Sequence, residues 1–118
     1  MRPDPRVLLA DVDRGGVDIE RFIDGMDGET YVGDARTQAA VERKCEIIGE
    51  ALNRLHRSHA DIADRIPSLR EAVGFRNLLI HGYATVIPDR VWDYAENDLP
   101  ALRETVQLLL AESGPPES

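Results

Sequence analysis

Between Asp34 and Arg57 the apolar residues Val41, Cys45, Ile48, Leu52 and Leu55 return in steps of four, three, four and three. That period belongs to a helix with one buried stripe, because a strand repeats every second residue. Asp34 is a suitable N-cap, so the spacing predicts one long helix running from there to about Arg57. No stretch of the chain alternates apolar and polar residues in the manner of a strand. The expected fold is therefore all-α, an up-and-down helical bundle with one short extra helix.

The other segments fit that plan. Asp4-Pro5 supplies a cap and a first-turn proline for helix one, whose stripe is Leu8, Val12, Ile19, Ile23 and Met26. Gly15-Gly16 lies inside it and should weaken or bend it, at about 1 kcal/mol per glycine. The pair reads either as a place where a neighbouring helix comes close or as a tolerated break. Residues 25–34 hold three glycines and are expected to form a loop. Gly49, inside the long helix, suits close packing of another helix. Pro67 stops the preceding segment, and Ser68 with Glu71 matches a capping box. It opens a helix buried through Leu69, Ala72, Val73, Leu79 and Ile80. Gly82 is placed as its left-handed terminating residue, with His81 in the last turn. Pro88-Asp89 opens a further helix with Val91, Trp92 and Ala95. Asn97-Asp98 is expected to cap another, with Pro100 in its first turn and Leu102, Val106, Leu109 and Leu110 buried. Residues 1–112 make a single domain, and residues 113–118 read as a disordered tail.

Composition excludes several functions. No apolar run is long enough to span a bilayer and no signal-peptide pattern opens the chain, so no membrane association is expected. The lone Cys45 excludes an internal disulfide, fits a reducing cytoplasm, and reads as a small core hydrophobe. A formal net charge of −8 counts against indiscriminate nucleic-acid binding, and DNA is not expected as a partner. Aromatic residues are only 5% of the chain, too few for base-stacking platforms, so RNA would be gripped mainly by its phosphates. His56 and His59 share a helix face without further ligands at metal spacing, and no metal or cofactor is expected. P-loop, dinucleotide-binding and di-iron patterns are missing.

What remains is Arg76-Asn77-Leu78-Leu79-Ile80-His81-Gly82-Tyr83, which sets a permanent cation, an imidazole and a phenol among large apolar residues. At roughly 100° per residue, Asn77 and His81 share a strip, while Arg76 and His81 lie about 140° apart. One helix presents that pair together only awkwardly; a second copy would bring an Arg and a His together easily, so a homodimer is expected. Glu50 reads either as a charge-assisted partner for Arg76 or as a solvated carboxylate.

The octapeptide R-N-L-L-I-H-G-Y resembles the R-x4-H-x-Y signature of the HEPN superfamily, in particular the HepT-like toxins that are paired with minimal nucleotidyltransferase antitoxins. T-Q-A-A-V-E-R-K-C-E-I-I-G-E-A-L (residues 37–52) is similar to that family's long second helix, and V-W-D-Y-A-E-N-D-L-P-A-L (residues 91–102) to its closing segment. Phe75 stands where Met or Leu is more usual, and Gly15-Gly16 is uncommon there. The resemblance implies a HEPN-like bundle and a ribonuclease toxin of a type VII-like toxin–antitoxin pair. It implies catalysis by Arg76 and His81; Asn77, one turn from His81, is placed to support them by orienting the ring or binding phosphate. The partner transferase would neutralise the toxin by adding AMP to Tyr83, and the dimer could assemble further with that antitoxin.

Arginine and histidine suffice for one reaction, because RNA carries its own nucleophile. An imidazole titrating near neutrality can take the 2′-hydroxyl proton or protonate the leaving 5′-oxygen. A guanidinium can hold the non-bridging oxygens as charge builds on phosphorus. Two classes of function follow: a metal-independent endoribonuclease, or a non-catalytic helical module that binds nucleotide or a transferase partner in the antitoxin role.

Overall fold

The computed structural model describes residues 3–82 and 86–113. In order, these form α1 (Pro5–Ile23), α2 (Gly28–Val32), α3 (Ala35–Ser58), α4 (Ala60–Ala63), α5 (Leu69–His81), α6 (Pro88–Asp93), a π-helical turn (Tyr94–Asp98) and α7 (Leu99–Ser113). The all-α bundle is as expected, although three of the helices are short (α2, α4 and α6). α3 is the central element, packed against α1 on one side and α5 on the other, and α7 closes over α1. Val41, Ile48, Leu52 and Leu55 of α3 are fully buried, with Cys45 in line, and meet Val12 and Ile19 of α1 and Leu99, Leu102 and Val106 of α7 in one core. Among the described residues no helix is long and apolar enough to cross a membrane.

The caps explain where the helices begin. Asp4 accepts from the Arg6 amide at 2.9 Å and Asp34 from the Thr37 amide at 3.0 Å, each satisfying a first-turn N–H that the helix leaves unpaired. Hydrogen bonding to those amides also holds both carboxyls below their usual range, in Asp4 behind the larger contribution of the Arg6 side chain.

The structure settles or corrects several sequence expectations. Helix one is unbroken through its glycines, because each accommodates a neighbour: a Cβ on Gly15 would lie 2.9 Å from Ile48 Cγ1, and one on Gly16 would be 2.7 Å from Arg103 Cγ. Residues 25–34 are not all loop. Asp27 accepts from the Thr30 amide at 2.8 Å and starts α2, which buries Tyr31 against Trp92 at a ring separation of 5.4 Å. Ser68 makes no side-chain cap bond, so the capping box is not formed. Gly82 has φ −117°, a negative value open to any residue, and ends α5 by donating its N–H to Leu78 O at 2.8 Å. No new helix starts at Asn97-Asp98: Asn97 Nδ2 donates to Asp93 Oδ1 at 2.7 Å, and the chain runs from α6 into α7 through the π turn. Pro100 has no N–H to give and its ring crowds the carbonyl one turn back. A widened turn just before it relieves that crowding and keeps Leu99 and Leu102 on the core. α7 reaches Ser113, the first residue assigned to the tail, while residues 114–118 lie outside the described residues.

Candidate active site

The site is built where α5 crosses α3 over a bare stretch of backbone. A Cβ on Gly49 would overlap Arg76 Cβ, sit 2.8 Å from Arg76 Cγ and press on the Ala72 carbonyl at 3.0 Å. The missing side chain is what lets the stem of Arg76 lie against α3. From there the guanidinium reaches the next residue along: Nη2 is 2.8 Å from Glu50 Oε2. On its other side Nη1 donates to Asn77 Oδ1 at 2.8 Å. The Arg76 side chain is only 23% exposed, and its Nε is buried without a partner among the described residues. Two charge-assisted contacts thus fix the plane of the guanidinium. Of the two readings of Glu50, the structure has the ion pair.

Arg76 lines a groove of about 300 Å³ with Leu8, Arg43, Ile47, Arg54 and Ile80. Arg43 and Arg54 escaped the sequence reading. Their signal is spacing on α3: residues 43, 47, 50 and 54 recur at helical intervals and form one strip beside Arg76. Arg43 is paired with Glu46 at 3.1 Å. Asp11, also in the lining, is 3.7 Å from Arg14. Arg54 has no ion pair among the described residues, although the lining as a whole is balanced, with Asp11, Glu46 and Glu50 against Arg43, Arg54 and Arg76. In a chain of net charge −8, Arg54 sets an unpaired guanidinium beside the one arginine of the motif.

His81 is elsewhere. It occupies the last turn of α5, exposed, and its imidazole has no hydrogen-bond partner among the described residues. Arg76 is turned in against α3 and His81 out to solvent, the divergence expected of positions five apart on one helix. Asn77 was expected to orient the His81 ring or bind phosphate; its amide oxygen is instead engaged by Arg76. The structure therefore brings Arg76, Asn77 and Glu50 together and leaves His81 apart from them. Tyr83 lies outside the described residues. His56 and His59 do not converge: His59 Nε2 is 2.8 Å from Pro3 O, whereas His56 borders a cavity between α3 and α5. Cys45 is buried, and burial together with the Glu42 and Glu46 charges pushes its thiol up to about 12, which makes it a packing residue.

The family model described as "Ribonuclease HepT-like" matches residues 16–109, which include every residue of the Arg76 cluster and His81. A protein of Methanocaldococcus jannaschii described as "Putative RNase" is 28% identical over 108 residues, covering 90% of this chain and 96% of its own. The "Probable ribonuclease HepT" of Thermococcus cleftensis is 35% identical over 85 residues, covering 72% and 76%. A "Putative RNase" of Caldanaerobacter subterraneus is 33% identical over 92 residues, covering 78% and 80%. No solved structure matches. The helical bundle, the motif on α5 and the extent of these matches agree: the chain belongs to the ribonuclease HepT-like family of the HEPN superfamily.

Proposed function

We propose that this chain is a metal-independent endoribonuclease in which Arg76 and His81 act on one RNA phosphodiester. The observation that carries the reading is the guanidinium of Arg76, held between Glu50 and Asn77 at the edge of a groove, with an exposed imidazole at the end of the same helix. The relatives' descriptions as ribonucleases support it. The 2′-oxygen attacks phosphorus, the bond to the 5′-oxygen breaks, and the proton lost by the 2′-hydroxyl is balanced by one given to the leaving oxygen. The products are a 2′,3′-cyclic phosphate and a 5′-hydroxyl. Arg76 holds the non-bridging oxygens, and His81 is the proton carrier. Because the two side chains diverge on one helix, the working site is composite, made by two symmetric copies of α5 in a homodimer.

In the cell the reading extends to a toxin neutralised by a partner nucleotidyltransferase that transfers AMP to Tyr83, in a dimer or a higher assembly with that antitoxin. An added phosphate beside Arg76 would occupy the place of substrate phosphate. One observation favours the alternative of a non-catalytic nucleotide- or partner-binding module: Arg76 already has a carboxylate partner, in a chain of net charge −8.

The test is cleavage of labelled RNA by purified protein in excess EDTA. Wild type is expected to release fragments ending in cyclic phosphate, and both Arg76→Ala and His81→Ala to lose this by orders of magnitude while remaining folded. Cleavage that stops with EDTA and returns with magnesium, or that persists in His81→Ala, overturns the mechanism. For the switch, intact mass should show added AMP on wild type treated with transferase and ATP and none on Tyr83→Phe, which should stay toxic.

A further inference from the structure

On the other side of α5 from the arginine groove lies a cavity of about 440 Å³ between α3, the segment after α4, and α5. Its apolar wall is Ile66, Leu69 and Val73, two of them buried in the core. Gly74 leaves it open, since a Cβ there would meet nothing within 4 Å. Around that wall stand Asn53, His56, Asp64 and Arg70, and none of these four side chains has a hydrogen bond or ion pair among the described residues. Asn77 completes the rim, and its Oδ1 is the acceptor of the 2.8 Å bond from Arg76 Nη1. An apolar wall with a few convergent, unengaged polar groups is the usual composition of a small-molecule site. Here that site is one hydrogen bond away from the guanidinium that would hold phosphate.

We infer that this cavity receives a nucleobase of the RNA strand whose phosphate Arg76 holds; the inference rests on the ribonuclease reading above. The polar groups separate the roles of the two sides of α5. The groove sets the unpaired guanidinium of Arg54 beside Arg76 and suits phosphate, whereas the cavity has an apolar wall with a carboxamide and an imidazole at its rim and suits an uncharged ring. The chemistry of the rim favours an edge with a donor beside an acceptor. A carboxamide offers both, and asparagine pairs in this way with adenine. Asn53 lies three residues before His56 on one face of α3, so the amide can meet the base edge while the imidazole offers a ring to stack on. The low aromatic content of the chain argues for phosphate as the main grip. The cavity adds to that grip a means of choosing the base.

The experiment measures binding separately from cleavage, using short 2′-fluoro oligonucleotides that lack the attacking hydroxyl. Fluorescence anisotropy should show oligoadenylate binding on the order of tenfold tighter than the same strand with abasic residues, a bidentate base contact being worth that or more. Asn53→Ala and His56→Ala should each reduce this preference, with unchanged circular dichroism, while Arg57→Ala on the same helix should keep it. Equal affinity for base-bearing and abasic strands overturns the inference, as does a preference that survives both substitutions. Free AMP competing as well as the strand would also overturn it, since the ligand would then be a mononucleotide. A protein that prefers base-bearing strands through Asn53 and His56 but cuts no RNA keeps the base site and loses the nuclease reading. One that cuts RNA with no such preference does the reverse.

Discussion

Arg76 and Glu50 meet at 2.8 Å where α5 crosses α3, one residue past the glycine that permits the crossing. The pair is partly solvated, with Glu50 46% exposed. Its removal should therefore cost little stability, at most about 1 kcal/mol, and act mainly through the aim of the guanidinium. Glu50→Ala is expected to unfold within about 1 kcal/mol of wild type in urea, yet to lower kcat for RNA cleavage with a smaller change in KM. A wild-type kcat would show that Asn77 alone positions Arg76.

The two glycines flanking this contact should respond in opposite directions. Gly49→Ala forces a methyl into the stem of Arg76 and the Ala72 carbonyl, an overpacking expected to cost roughly 1–3 kcal/mol. Gly74→Ala meets open space in the middle of α5 and should gain up to about 1 kcal/mol from helix propensity. Denaturant midpoints of the two variants decide the matter, and the same sign in both would mean that α5 is not seated as described.

If the site is shared between two copies, complementary defects must rescue each other. Arg76→Ala and His81→Ala proteins, each inactive, are to be unfolded together and refolded as a mixture. Half of the dimers then carry one intact site of two, so about a quarter of wild-type activity should return. No recovery from a mixture that demonstrably contains heterodimers would place both residues of each site in one chain.

The core makes the protein sensitive to alkali. The Cys45 thiol rises from an ordinary 9.0 to about 12 on folding, and burial also raises the phenols of Tyr31 and Tyr94 above their usual 10.0. Each group binds its proton more tightly folded than unfolded, so stability is full below pH 9 and falls as pH climbs from there toward 12. Urea midpoints should drop steadily across that window. Cys45→Ala should flatten part of the slope, and iodoacetamide should label Cys45 in native protein at pH 8 far more slowly than in denatured protein.

Much of this was legible in the chain itself. The stripe from Val41 to Leu55 made α3 a helix with one buried face, Asp4 and Asp34 marked true starts, and the five-residue step from Arg76 to His81 foretold that they would diverge. These depend on periodicity and on groups within one turn, which are local properties. The features that went astray depend on partners distant in sequence. Gly15-Gly16 could bend a helix or admit a neighbour, and only the arrival of Ile48 and Arg103 decided between them. Trp92 gave Tyr31 a place to bury and so turned part of a glycine-rich loop into α2. Glu50 carried no sign of whether it faced water or an arginine. Gly49 settled that by removing a side chain at the crossing of α3 and α5, and the same crossing brought Arg54 and Arg43 beside Arg76 and set Asn53 and His56 opposite Asn77. Sequence determined the long helices and most of the stripes they bury, because both depend on periodicity; the meeting of two such faces, governed by where a backbone can come close, decided the short elements and which polar residues share a site.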